Sequence, residues 1–356
     1  MKKILIPVVA LLVLGTVLYS QRAAVVAVVM QKALENRIGI DITEDFVDGL
    51  HVALCGAGGP LPAPNASGPC VAVVAGDRLF VVDVGTDSPR NLGRMGMPVG
   101  EVNAVFLTHF HSDHIDGLGE LATLRWAGGN FQAPLPVYGP TGVETVVAGF
   151  NQAYGQDFIY RQAHHGDAVT PLAAAGMTAR PFETPADGVL ATLVNEPGLR
   201  VEALAVDHEP VNPAVGYRFT YKGRTALISG DTSKSANIER FAKGIDLLVH
   251  EALAPNIVDM MNAAAVQRAL PNLIKITEDI PSYHASPVEA AETARDAGVG
   301  HLLYYHIVPP LLLPGQDALF LDGAADVFAN YTIGVDGVMF SLPAGSDDII
   351  QTSKGL

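Results

Sequence analysis

Thr108-His109-Phe110-His111-Ser112-Asp113-His114 places three histidines and one carboxylate directly after the apolar run Val102 to Leu107 (Val-Asn-Ala-Val-Phe-Leu). A strand-length apolar run that ends in a tight group of imidazoles makes a poor core. It makes a good presentation of nitrogen and oxygen ligands to a borderline metal such as zinc. The competing reading, a polar loop rich in histidine by accident, leaves the H-x-H-x-D-H spacing unexplained.

Outward from that run, short apolar segments alternate with helical ones. Leu50 to Leu54, Cys70 to Ala75 and Arg78 to Val84 read as strands before it, the last ending at Asp83-Val84-Gly85. Gly117 to Trp126 reads as a helix, Pro136 to Tyr138 as a strand and Val143 to Tyr154 as a helix. Strands are expected again at Arg200 to Val206, Ala214 to Tyr221, Thr225 to Ser229, Leu247 to His250 and Leu302 to His306. Helices are expected at Ala263 to Leu270 and Pro287 to Ala297. Such interleaving predicts a layered α/β domain. The expected organisation is a signal segment over 1–30, a polar connector over 31–48 and a hydrolase domain over 49–356. Gly-rich 56–59 lacks the Lys of a phosphate loop and the Rossmann spacing, and reads as a turn.

The N-terminus reads as a targeting segment. Lys2-Lys3 precedes an apolar stretch from Ile4 to Leu18, and Ala23 to Met30 continues the apolar character. Positive residues before such a run hold that end in the cytoplasm. The expectation is a signal anchor or uncleaved signal segment, with the domain on the periplasmic side of an inner membrane. A cleaved signal peptide is the alternative.

A chain of 356 residues can bury a large core, and 49% hydrophobic with 17% charged residues excludes a disordered chain. The net charge of −15 repels phosphate backbones, and the basic residues show no cluster beyond Lys2-Lys3, so a nucleic-acid partner is not expected. Cys55 and Cys70 are the only cysteines and lack C-x-x-C spacing. If the domain is exported, a disulfide between them would close a turn-rich loop and add about 3 kcal/mol. Two buried free thiols on adjacent strands are the alternative.

Four later segments offer partners for the histidine run. Asp207-His208 ends a strand-like run, Ser229-Gly230-Asp231-Thr232 puts an acid just past another, and Val249-His250-Glu251-Ala252 and Tyr305-His306 repeat the arrangement. Polar groups at the ends of several apolar strands converge on one edge of a sheet, where α/β folds place their sites.

With these pieces the chain resembles the metallo-β-lactamase-fold hydrolases, and within them the ribonuclease Z and arylsulfatase-type branch. The resemblance covers roughly residues 50–343. It is carried by Thr-His-Phe-His-Ser-Asp-His at 108–114, His208 with Gly216-Tyr217-Arg218, Ser-Gly-Asp-Thr at 229–232, His-Glu-Ala at 250–252, His-Ala-Ser at 284–286 and His306. The implied fold is an αβ/βα sandwich with two facing mixed sheets and the metals at one edge, here preceded by the anchor helix. The implied centre is dinuclear, with Zn2+ as the first choice and Mn2+ or Fe2+ as alternatives. His109, His111 and His208 would hold one ion, Asp113, His114 and His306 the other, and Asp231 would bridge them. A hydroxide held between the ions would be the nucleophile, oriented by Asp113. Asp83 resembles the outer acid that steadies a ligand histidine, or else is a turn residue at a strand end. His284 would lie over the metals and stabilise charge or protonate the leaving group, steadied by Glu251 or His250. The alternative for His250 and Glu251 is that they only brace the site.

The other histidines, His51, His164, His165 and His301, fit no ligand slot. His164-His165 is expected in a loop, solvated or lying over the site. Trp126, Phe131 and Met260-Met261 are core residues or the lining of an apolar substrate pocket. Only two strand-length runs separate His208 from Asp231, which leaves no room for the RNA-gripping arm that ribonucleases of this branch often carry. The expected substrate is therefore a small ester outside the cytoplasm: a phosphodiester, sulfate ester, carboxylic ester or lactone. The alternatives are a ribonuclease Z-like phosphodiesterase, a β-lactamase and a metal-binding scaffold without catalysis. A zinc protease is excluded because there is no H-E-x-x-H pair. A homodimer is compatible with the sequence.

Overall fold

The computed structural model describes residue 15 and residues 19–353. The chain divides into two compact units, Met1–Asp41 and Ile42–Leu356. In the first unit, Arg22–Glu35 is an α-helix with no buried residue. Its 14 residues span about 21 Å, short of a hydrocarbon core of about 30 Å. No helix among the described residues is long and apolar enough to cross a membrane. The expected anchor over 1–30 is not supported; residues 1–14 and 16–18, on which most of it rested, lie outside the described residues.

In the second unit the strands are, in chain order, β1 Gly49–Gly56, β2 Cys70–Ala75, β3 Arg78–Val82, β4 Val102–Phe106, β5 Leu135–Pro140, β6 Met177–Phe182, β7 Ala191–Glu196, β8 Leu199–Ala205, β9 Val215–Tyr221, β10 Arg224–Ile228, β11 Leu247–Leu253, β12 His301–Val308, β13 Tyr331–Ile333, β14 Val338–Pro343 and β15 Ile350–Ser353. They form two sheets, β15-β14-β1-β2-β3-β4-β5-β6 and β13-β12-β11-β10-β9-β8-β7. Both sheets are mixed. β3 to β6 run parallel in one, and β10 to β13 run parallel in the other.

Every residue of β1, β2, β11 and β12 is buried. Strands covered on both faces need near-continuous apolar sequence, and these have it. Between the sheets, Phe106 packs on Phe80, Tyr138, Tyr217 and Phe219, with ring centroids 4.9–5.8 Å apart. Helices cover the outer faces. Leu118–Gly128 and Val143–His165 lie on the first sheet, and Ala236–Phe241 and Pro287–Ala297 on the second. The result is the αβ/βα sandwich expected from the sequence. Cys55 and Cys70 form a disulfide, with Cα atoms 5.0 Å apart, which closes the loop between β1 and β2.

Some expectations are corrected. The helix from Val143 runs on to His165, so Tyr154 to Arg161 is helical. His164 and His165 are exposed at its last turn and touch each other, not a site. β6, β7, β13, β14 and β15 have no counterpart among the strands expected from sequence: β6, β7, β13 and β15 are partly or wholly exposed and carry no apolar alternation to read, whereas β14 is mostly buried and is missed all the same. Trp126 is core, its Nε1 donating to the Pro171 carbonyl, and Phe131 stacks under Arg125. Met260 is exposed on the helix Pro255–Gln267.

Candidate metal centre

The parallel halves of the two sheets bring their C-terminal strand ends together. Past β4 the chain turns through Thr108 to His111 into the one-turn helix Ser112–Ile115. That turn presents His109, His111, Asp113 and His114 from one side. His208 follows β8, Asp231 follows β10, and His306 lies within β12. His306 is the extra residue of a bulge: Glu251 pairs with Tyr305, and Ala252 with Ile307. Its φ of +45° is a conformation that a side-chain-bearing residue rarely adopts. A bulge of this kind re-aims a side chain at a site edge.

Three overlapping groups of ligand atoms result, His109, His111, His208 and Asp231, then Asp113, His114 and His306, and then Asp231, His284 and His306, the atoms of each group all within 4.8 Å of one another. His109 Nε2 is 3.0 Å from His111 Nδ1, and His208 Nε2 is 3.5 Å from the same atom. Asp231 Oδ2 lies between the groups, 3.8 Å from His109, 3.9 Å from His208, 3.3 Å from His114 and 3.3 Å from His306, all to Nε2. Ligands on a tetrahedral zinc stand about 3.3–3.6 Å apart. His114 Nε2, Asp231 Oδ1 and His306 Nδ1 are buried with no hydrogen-bond partner among the described residues. Buried polar atoms without partners are costly, and a cation between the groups would satisfy His114 Nε2 and Asp231 Oδ1. The donor set fits a metal.

The electrostatics agree. Burial pushes the Asp231 carboxyl up, but His306, His114 and His109 around it outweigh that and hold it well below the usual carboxylate range. Burial pushes His114 down, yet Asp231 and Asp83 raise it well above the ordinary histidine value. Burial and the neighbouring His114 hold His109 well below it. Asp231 and Asp83 draw positive charge onto His114, while burial keeps His109, His111 and His208 from supplying more, which leaves a buried demand for positive charge.

The supporting shell is dense. Asp83 Oδ2 accepts from His114 Nδ1 at 2.8 Å and from the Thr108 hydroxyl at 2.8 Å, while Oδ1 accepts from Thr108 N at 2.8 Å. Asp83 is thus the outer acid and not merely a turn residue. His208 Nδ1 donates to the Tyr283 carbonyl at 2.8 Å, a partner that no side-chain signal in the sequence disclosed. His284 stands beside His208 and His306, with ring centroids 5.1 and 5.7 Å away. Its Nδ1 is 3.0 Å from Glu251 Oε1, which also accepts from Thr232 N and Ala285 N. A capping box, Ser286 with Glu289, fixes the helix start just after His284. Burial lowers His284, but the charge and hydrogen bond of Glu251 outweigh it and raise it to about 9.

Of the two outer candidates, only Glu251 reaches the site. Neighbours on a strand face opposite ways. His250 shares its face with Leu248 and Ala252, against the helices, and its Nδ1 bonds the Glu251 carbonyl at 2.7 Å. The pleat therefore removes His250 from a catalytic or steadying role. Beside Asp113 opens a cavity of about 850 Å³, walled by the loop 59–68 with Thr86, Asp87, Asn91 and Arg94.

Comparison with known proteins adds the kinship. A model of the beta-lactamase superfamily domain matches residues 78–307, more than half of the chain. Ribonuclease Z of Mycobacterium bovis (strain BCG / Pasteur 1173P2) is 35% identical over 286 residues, covering 79% of this chain and 94% of that protein. Ribonuclease Z of Mycolicibacterium gilvum is 36% identical over 271 residues, covering 75% and 87%. Among solved structures, the metallo-beta-lactamase fold protein YhfI from Bacillus subtilis has a TM-score of 0.59 at 21% identity, covering 82% of this chain and 99% of that one. Human tRNase Z, short form, has a TM-score of 0.56 at 20% identity over 82% and 99%; both likenesses speak for the fold. These relatives overturn the extracytoplasmic, membrane-anchored placement, and they speak against the expectation of no nucleic-acid partner: the proteins matched over most of the chain are named as ribonucleases. Nothing in the comparisons supports the arylsulfatase-type half of the resemblance.

Proposed function

The chain belongs to the metallo-β-lactamase superfamily, in its ribonuclease Z branch, and is a metal-dependent hydrolase; from that premise we propose that it cleaves phosphodiester bonds as a ribonuclease Z-like enzyme with two zinc ions. The single observation that carries this is the His284–Glu251 pair standing over two groups of metal-ligand atoms that share Asp231. His109, His111 and His208 would hold one ion, Asp113, His114 and His306 the other, and Asp231 would serve both. Bound there, the ions supply Lewis acidity and lower the pKa of water to near neutrality.

The chain's own residues do the rest. The Asp113 carboxylate, 3.4 Å from His306 Nε2, orients the attacking water. Glu251 Oε1, 3.0 Å from His284 Nδ1, raises that ring to about 9 and so favours its protonated form, which makes it a proton donor. His284 gives that proton to the departing oxygen, and Glu251 fixes the ring's direction. The cavity beside Asp113 receives one arm of the diester.

A second reading, a small phosphodiester in place of RNA, is favoured by the net charge of −15 and by β9 and β10, which pair directly between His208 and Asp231 with no inserted arm. The test compares a transfer-RNA precursor with a 3′ extension against bis(p-nitrophenyl) phosphate, using zinc-loaded protein. Cleavage of both supports the main reading, and cleavage of the small diester alone supports the second. Turnover of nitrophenyl sulfate or carboxylate with neither diester touched would refute both.

A further inference from the structure

The loop between β1 and β2 carries four prolines, Pro60, Pro62, Pro64 and Pro69, and forms no strand or helix. It is nonetheless tied at several points. The Cys55–Cys70 disulfide closes its base. The Ala57 carbonyl accepts from Ile307 N at 3.1 Å, and Gly58 bridges to Ile307, one residue beyond His306. Gly59 lies flat against the metal-site edge: a Cβ there would stand 2.8 Å from Val308 Cγ2 and 3.1 Å from His306 Cε1. The loop is therefore a strap that presses on the bulged His306 and walls the cavity beside Asp113.

One carboxylate, distant in sequence, fastens both ends of this strap. Asp336 Oδ1 accepts from Ala57 N at 2.9 Å, and Oδ2 from Ser67 N at 2.8 Å. Asn91 Nδ2 donates to the same Oδ2 at 2.6 Å and also reaches Ser67 Oγ at 2.7 Å and the Cys55 carbonyl at 3.1 Å. Two backbone N–H groups on one carboxylate are charge-assisted bonds, roughly twice as strong as neutral ones. Asp336 makes no hydrogen bond to a residue of the ligand groups among the described residues, although it shares a cavity wall with Asp113.

We infer that Asp336 is a positioning residue: by clamping Ala57 and Ser67 it holds the strap against His306, and so sets both the ligand group formed by Asp113, His114 and His306 and the wall of the substrate cavity. The inference rests on the reading of His306 as a metal ligand. Among the described residues the strap makes no hydrogen bond to His109, His111 or His208, which makes the expected effect selective.

The test is Asp336→Asn in the full chain, loaded with zinc and titrated with a chromophoric chelator. The amide turns an N–H toward one of the two backbone N–H groups and breaks that arm of the clamp. One ion should be lost about 10–100-fold more readily, the size of effect that outer-shell partners have, while the other ion keeps its wild-type affinity. KM for bis(p-nitrophenyl) phosphate should rise more than kcat falls. Two ions at wild-type affinity would overturn the inference. Equal weakening of both would also overturn it, since that is what a general loss of structure produces. If Asp336→Asn does not fold, Asn91→Ala, which removes one of the carboxylate's donors, carries the same test, with a smaller selective loss expected and no selectivity overturning it. The chelator reading stands even if no phosphodiester is turned over, so failure of the proposed function remains distinguishable from failure of the clamp.

Discussion

The two halves of the metal site are built differently. On the first sheet, one turn after β4 supplies His109, His111, Asp113 and His114 together, and a single residue, Asp83, braces both Thr108 and His114. On the second sheet, His208, Asp231 and His306 come singly from three strands, each held by something different: the Tyr283 carbonyl for His208, and a bulge and a strap for His306. The first half is local and needs little more than its own turn. The second exists only when β8 to β12 are in register. Asp231 is where the halves meet, with its Oδ2 within 3.9 Å of imidazoles from both.

The largest effect should come from breaking that meeting point. Asp231→Ala removes the one carboxylate shared by both groups. The expected loss in kcat/KM goes well beyond the ~10–100-fold typical of an outer-shell partner, with metal analysis showing both ions weakened. Retention of two tightly held ions would mean that the halves are independent. Asp83→Asn probes the local half alone. It keeps the shape but puts an amide N–H toward Thr108 or His114, and about 10–100-fold in activity or metal affinity should be lost. A loss as large as that of Asp231→Ala would mean that the local half is no more self-sufficient than the distributed one.

The same division explains what was legible in the sequence. The H-x-H-x-D-H turn could be read because all its chemistry lies within one turn of chain. His208 and Asp231 could be placed because each follows a recognisable apolar strand, and His306 because it lies near the end of one, and the resemblance joined them. Asp336 and Asn91 gave no signal, since their partners are backbone N–H groups and a carbonyl far away in sequence. The facing of His250 and Glu251 was not legible, because adjacent strand residues look equally close to a site until the pleat is fixed. The edge strands β7 and β15 escaped because exposure removes the apolar pattern that periodicity depends on.

Glu251→Gln sharpens the distributed half. The His284 value of about 9 lies above its ordinary 6.5. A group raised on folding contributes stability that is fully present below about pH 6.5 and lost as pH rises through about 9. As a proton donor, His284 should give the pH–rate profile a basic limb near the same value. Removing the Glu251 charge should move that limb to lower pH and cut the rate at pH 8 by about tenfold, within the range for general acid catalysis. An unmoved limb would take the proton-donor role away from His284.

The smallest effect is expected one residue earlier. His250 is fully buried, and its Nε2 has no partner among the described residues. Burial holds it below the ordinary histidine value, more than its bond to the Glu251 carbonyl raises it. Below about pH 6.5 the unfolded chain then binds a proton that the folded chain refuses, so this residue makes the protein less stable as pH falls. His250→Leu fills similar volume among Leu248, Ala252 and the helix Pro287–Ala297 and removes an unpartnered buried nitrogen. Turnover should stay within about threefold of wild type, because the change lies outside the outer shell whose members cost ~10–100-fold. Melting measured between pH 5 and 7 should fall less steeply on acidification than in the wild type. A His250→Leu variant as impaired as Glu251→Gln would show that the helix-facing side of β11 takes part in the chemistry, and the separation of the strand's two faces would have to be abandoned.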